Sequence, residues 1–122
     1  MKVIGFGAAL VDKQFLIKDD ALNDLGIEKG LMTLNSEEEQ NELLTFLKGE
    51  NYDQISSCGG SATNSIYAAA ALGTISGFIG KVAQDEDGEI YNSDLKDNNV
   101  EISNCITSSI GKTGNCIVLI TP

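Results

Sequence analysis

Apolar, β-branched runs alternate with helical stretches along this chain, and the links between them are short. The runs are "KVIGFG" (Lys2–Gly7), "DQISS", "TISGFIGKVA", "VEISNCITS" and "GNCIVLIT". Between them fall "ATNSIYAAAALG", with Gly73 as its stop, and "DEDGEIYNSDLKDNN", with Ile90, Tyr91 and Leu95 turned inward. Parallel strands need a crossover of a dozen or so residues, and a helix supplies it, so this alternation predicts an α/β domain with a mostly parallel sheet. Two more short strands are expected at "QFLIK" (Gln14–Lys18) and "GLMTL" (Gly30–Leu34). They flank a short helix, "DDALNDLGI", capped by Asp19 or Asp20 and closed by Gly26. "NSEEEQNELLTFLKG" satisfies every local rule for a helix. Ser36 caps it, acids fill its first turn, Leu43, Phe46 and Leu47 share a face, and Lys48 and Gly49 end it.

The 122 residues correspond to one domain or part of one. No apolar run approaches the roughly 20 residues of a membrane span. The N-terminus has one Lys before its apolar run and no small-residue cleavage site, so it reads as a strand and a cytoplasmic setting is expected. A net charge of −10 argues against a nucleic-acid partner, which needs clustered Lys and Arg. The acids of "NSEEEQNE" and "QDEDGE" read as solvated helix surface. The absence of histidine removes imidazole acid/base chemistry, Ser-His-Asp triads and imidazole metal sites. Cys58, Cys105 and Cys116 are odd in number and too dispersed for a metal knuckle. They read as reduced, partly buried small hydrophobes.

Two motifs fail. "GFGAAL" has Leu10 where a dinucleotide fingerprint needs its third glycine, and the residues after it look extended, so its glycines read as close-packing positions. "ITSSIGKTG" has Ile106 where a phosphate loop needs glycine, and a strand rather than a helix follows Thr113. A hairpin turn is the expectation there.

"SCGGSATNSI" is different. Gly59 and Gly60 strip Cβ atoms so that a ligand can approach backbone, Ser61 or Thr63 can cap the helix, and Asn64 falls in its first turn. An amide both donates and accepts, as a hydroxyl does. Asp12, placed just past the first strand, can accept from two adjacent hydroxyls. Together these residues suit a neutral polyol such as a ribose. Singly, each has a structural account: an Asp in a turn, a Gly-Gly bend, an Asn at a helix start.

These residues resemble the ribokinase/PfkB family of carbohydrate and nucleoside kinases. "GFGAALVD" resembles its first strand with the substrate aspartate, and "GGSATNS" its N-terminal signature. "GFIGKVAQDEDGEIYNSDLKDNNV" and "TGNCIVLITP" resemble later family segments, in order over the whole chain. "GGSATN" and "ALVD" lean toward adenosine-kinase-like members. Two positions depart: Ala8 stands where many nucleoside kinases carry Asn, which removes one hydroxyl contact, and Ala83 stands where Gly is usual.

The resemblance implies a three-layer α/β sandwich with a mostly parallel sheet and a small β-sheet lid, residues 1–122 forming the N-terminal part including lid strands. It implies transfer of the ATP γ-phosphoryl to a hydroxyl of adenosine, or of a simple sugar such as ribose or fructose. A non-catalytic binding module is the rival from another class. The match gives Asp12, Gly59, Gly60 and Asn64 the sugar, and sets Met32, Leu34 and Cys116 along the wall facing the rest of the substrate. The catalytic aspartate, the anion hole and the sites for ATP and Mg are expected after Pro122. No catalytic, cofactor-binding or metal-ligating residue is therefore assigned within the chain, which alone is expected to be inactive. A small-molecule partner, no membrane, and a monomer or lid-mediated dimer complete the expectations.

Overall fold

The computed structural model describes all 122 residues, Met1–Pro122. The elements in order are β1 (Lys2–Phe6), β2 (Leu10–Leu16), α1 (Asp19–Asp24), α2 (Glu37–Gly49), β3 (Gln54–Gly59), α3 (Ser61–Ala71), β4 (Ile75–Ile79), β5 (Lys81–Ala83), α4 (Glu86–Asp97), β6 (Val100–Glu101), β7 (Ile106–Ser108) and β8 (Gly114–Ile120). The chain divides into two compact units. One comprises Met1–Lys13 and Ser56–Cys116, the other Gln14–Ile55 and Ile117–Pro122.

In the first unit β1, β4 and β6 form a parallel sheet in the order β1-β4-β6. Val3 pairs with Ser76 and Gly5 with Phe78, which puts these four on one face. That face is buried under α3 and α4 in a core of Ile66, Phe78, Tyr91, Leu95 and Val100, with Val3, Ala62 and Ala70 packed against it. The alanine-rich character of α3 follows from this packing. A Cβ on Gly5 would meet Ile66 Cδ1 at 3.1 Å, and one on Gly7 would meet Ala62 Cβ at 2.9 Å. Small residues on both surfaces let the helix lie close to the strand, as the close-packing reading of "GFGAAL" expects. Gly73, at φ 84°, ends α3, its N–H and that of Thr74 taking up the carbonyls of Ala70 and Ala69.

Several strand boundaries differ from the sequence expectation. "TISGFIGKVA" divides into β4 and β5, and "VEISNCITS" into β6 and β7, because β5 and β7 leave the first sheet and pair with each other in parallel. β7 and β8 belong to different sheets, so "IGKTG" is a link between sheets and not a hairpin turn. β2 begins at Leu10 rather than Gln14, which places Asp12 inside a strand and not in a turn beyond one. β2 is the central strand of a third sheet, ordered β3-β2-β8.

The second unit buries Phe15, Ile17, Ala21, Leu22 and Leu47, with Leu43, Phe46, Tyr52 and Leu119 around them. Ser36 and Glu39 form a complete capping box at α2: Glu39 N donates to Ser36 Oγ (3.2 Å) and Ser36 N to Glu39 Oε2 (2.7 Å). Asn51, at φ 58°, takes the left-handed position after α2, while Gly49 is its last helical residue. Lys18 precedes α1 without a side-chain cap, so neither Asp19 nor Asp20 caps it; both lie inside its first turn. Gly30–Leu34 forms no strand. No helix is long and apolar enough to cross a membrane.

The face of the β1-β4-β6 sheet away from α3 carries Ile4 and Phe6, 51% and 81% exposed, beside Ile75, 66% exposed. Parallel sheets are normally covered on both faces. The 122-residue chain is therefore expected to self-associate through this face. Phe6→Thr, which puts a β-branched strand former in place of an exposed aromatic one, should alter stability by no more than about 1 kcal/mol and weaken the association. Sedimentation velocity over a concentration series checks it, and a wild-type chain that stays monomeric throughout would contradict it.

Candidate functional site

The site is built where β3 ends beside β2. Asp12 is half-buried on β2, between the buried Val11 and the half-buried Lys13. Gly59, the last residue of β3, is buried against it: a Cβ built on Gly59 would lie 2.5 Å from Asp12 Cγ and 2.6 Å from Asp12 Oδ1. The glycine is there to let a carboxylate lie against bare backbone. Gly60 follows at φ 95° and ψ 145°, a conformation reserved for glycine, and a Cβ there would meet the Ala8 carbonyl at 3.1 Å.

Gly60 is itself the N-cap of α3, and no side chain caps the helix. Of the two expected caps, Thr63 is buried and its Oγ1 shares a 2.6 Å hydrogen bond with the Tyr91 hydroxyl. Burial pushes the Tyr91 phenol well above its ordinary range, with the Thr63 bond pulling the other way. Asn64 lies in the first turn as expected, exposed, its N–H donating to the Gly60 carbonyl at 2.9 Å.

Cys116, on β8, is half-buried. Burial raises its thiol pKa and the nearby Asp12 charge raises it further, which keeps the thiol neutral. Cys58 is pushed up to about 12 by burial first and by its bond to Asp94 second. The structure thus brings Asp12, Gly59 and Cys116 together, with Gly60 and Asn64 following directly in the chain. Met32 and Leu34 lie in the second unit, 87% and 92% exposed, on the segment that forms no strand.

Sequence reasoning missed the residues that hold this arrangement. Asp94 of α4 accepts from the Cys58 N–H at 2.7 Å. Asp87 pairs with Lys13 at 2.8 Å, both side chains about 85% buried, and accepts from Asn115 Nδ2 at 3.3 Å. Asp85, the N-cap of α4, accepts from Gly88 N (2.8 Å), Thr113 N (2.8 Å) and Thr113 Oγ1 (2.7 Å). Burial works to raise the Asp85 pKa, but its bonds from Thr113 and Gly88 outweigh that and hold it below the ordinary 3.8. Asp85 and Asp87 of "QDEDGE" are therefore bonded, half-buried groups rather than solvated surface. A signal was present: Asp87 and Asp94, seven residues apart, fall in step with the buried Tyr91 and Leu95 and so share the inward stripe of the helix. Thr113 of "GKTG" is buried, its Oγ1 also accepting from Ala83 N at 2.9 Å, which leaves that sequence no freedom to cradle a phosphate. No group of three His, Cys, Asp or Glu side chains could hold a metal ion.

Residues 32–122 match the family described as pfkB family carbohydrate kinase. The chain belongs to the PfkB family. No curated protein sequence matches it. Among solved structures it is similar to adenosine kinase from Anopheles gambiae in complex with P1,P4-di(adenosine-5) tetraphosphate (TM-score 0.81, 28% identity, 98% of this chain and 37% of that one). It is similar to a probable sugar kinase protein from Rhizobium etli (0.78, 28%, 98% and 35%). It is also similar to adenosine kinase from Sinorhizobium meliloti (0.77, 30%, 98% and 36%). The fold is the ribokinase-like α/β fold of this family, and the chain spans little more than a third of the length of these relatives.

Gly59 and Gly60 should respond differently to alanine. Gly59→Ala meets only the end of one side chain, so the Asp12 carboxylate must swing away while the backbone stays. Its cost in stability should stay under about 1 kcal/mol. Gly60→Ala meets a backbone carbonyl at a conformation alanine avoids and should cost about 1–3 kcal/mol. Chemical denaturation of both variants checks the order; equal costs would contradict it.

Proposed function

We propose that the protein carrying this chain phosphorylates a hydroxyl of a nucleoside, with adenosine and its ribose 5′-hydroxyl as the leading acceptor, and that these residues supply the acceptor side. The observation that carries the reading is the Asp12 carboxylate lying against the bare backbone of Gly59, in a family member similar to adenosine kinases over almost all of its length. A carboxylate accepts only, and its two oxygens match two adjacent hydroxyls of a ribose. Gly60 keeps the neighbouring backbone open, and Asn64 adds an exposed amide that can donate and accept.

The phosphoryl donor, ATP with magnesium, is assigned to residues outside 1–122. Asp87 and Asp94 are engaged with strand residues, and "GKT" is locked by Asp85, so no phosphate or metal step is derived from them. Phosphoryl transfer rests on positioning and electrostatic stabilisation, and the part described here positions the acceptor. A simple sugar is the second reading. It is favoured by the similarity to a probable sugar kinase and by Ala8, which offers no side-chain hydrogen bond beside Gly60.

Kinetics on Asp12 variants test the reading. Asp12→Ala removes two charge-assisted hydrogen bonds of roughly 1.5–3 kcal/mol each. It should lower kcat/KM for the acceptor by about 10²-fold or more, with KM for ATP unchanged. Asp12→Asn keeps one acceptor oxygen and should lose less. Loss of melting temperature with unchanged acceptor kinetics would leave Asp12 a purely structural residue, and no turnover of nucleoside or sugar by the wild-type protein would favour a binding module.

A further inference from the structure

We propose that helix α4 is the frame of the acceptor site, and that Asp94 and Asp87 are positioning residues that hold β3, β2 and β8 each at the residue next to a site residue. The inference rests on the reading of Asp12 as the acceptor-binding group. Its basis is one regularity. Asp94 grips the backbone of Cys58, which precedes Gly59. Asp87 pairs with Lys13, which follows Asp12. The same carboxylate holds Asn115, which precedes Cys116. Successive residues of a strand point to opposite faces, so a helix that holds Lys13 and Asn115 from behind leaves Asp12 and Cys116 turned the other way.

The consequence is geometric. Asp12 must keep its carboxylate over Gly59, and a shift of β3 against β2 of a few tenths of an ångström would alter that seat. Backbone pairing between two strands fixes their register but leaves their tilt and twist free to vary. A pair of carboxylates two turns apart on one helix fixes both strands to the same rigid rod. The Lys13–Asp87 pair is largely removed from water and also bonded to Asn115, a setting in which removing one partner is costly. Asp85 adds a second tie, holding Thr113 just before β8 begins.

The test is a mutant cycle on the protein carrying the chain. Adenosine affinity is measured by titration calorimetry without ATP, and melting temperature is recorded for every variant. Asp94→Ala should weaken adenosine binding by about five-fold or more, since a buried Cys58 N–H is left without its acceptor. Asp94→Asn, whose Oδ1 still accepts from that N–H, should restore affinity to within about two-fold of wild type. In the Asp12→Ala background, Asp94→Ala should change affinity by less than about two-fold, because the group it positions is gone. A residue that serves stability alone would lower the melting temperature equally in both backgrounds and leave affinity unmoved.

Should Asp94→Ala fail to fold, the double variant Lys13→Met with Asp87→Asn removes the ion pair without stranding a buried charge, and the same loss and the same dependence on Asp12 are expected. Affinity that falls for Asp12→Ala but not for folded Asp94→Ala or the Lys13/Asp87 variant would overturn the positioning role and leave the function reading standing. Full multiplication of the two losses would also overturn it. An Asp12→Ala protein that binds adenosine like wild type would overturn both.

Discussion

A carboxylate pressed against a glycine backbone is a demanding contact, and the first unit is organised around keeping it. Water would solvate Asp12 well, so holding it half-buried beside Gly59 has to be offset by bonds and packing nearby. The chain supplies them on the reverse of the same sheet. Lys13 is neutralised by Asp87, the Cys58 N–H is taken by Asp94, and the burial of Phe78, Tyr91 and Leu95 fastens α4 to the parallel sheet. Each acid of the helix that faces inward is bonded to a strand residue, so the net charge of the chain is not simply a solubility device.

The small residues have the same logic. Gly5 and Gly7 admit α3 close to β1, and Gly60 turns the chain sharply into that helix. With the Thr63–Tyr91 hydrogen bond tying α3 to α4 in the core, the start of α3 is fixed without a side-chain cap. The exposed Asn64 amide is thereby set on a rigid helix turn rather than on a loop. A rigid acceptor site costs less conformational entropy on binding than one that must order itself.

Much of this was legible in the sequence because it is local. The capping box at Ser36, the alternation of strand and helix, the left-handed stop at Gly73 and the bare backbone at Gly59-Gly60 depend on near neighbours. The misreadings are non-local. Whether Gly30–Leu34 pairs as a strand depends on a partner that no local rule names, and none pairs with it. Local pattern sets Asp12 just past the first strand and starts the next strand only at Gln14. β2 is central in its sheet, which makes Asp12 part of a strand. The acids of α4 read as surface in the sequence because charge usually is. Only their spacing, in step with Tyr91 and Leu95, marks them as inward, and only the strands opposite explain why.

The proposed acceptor site depends on Asp12 accepting from two adjacent hydroxyls. The most direct measurement compares kcat/KM for adenosine with that for its 2′-deoxy and 3′-deoxy analogues. Each missing hydroxyl removes one charge-assisted bond, so each analogue should be poorer by roughly ten-fold or more. The discrimination should largely disappear in Asp12→Ala. Equal kcat/KM for all three nucleosides, or a preference that survives in Asp12→Ala, would contradict it.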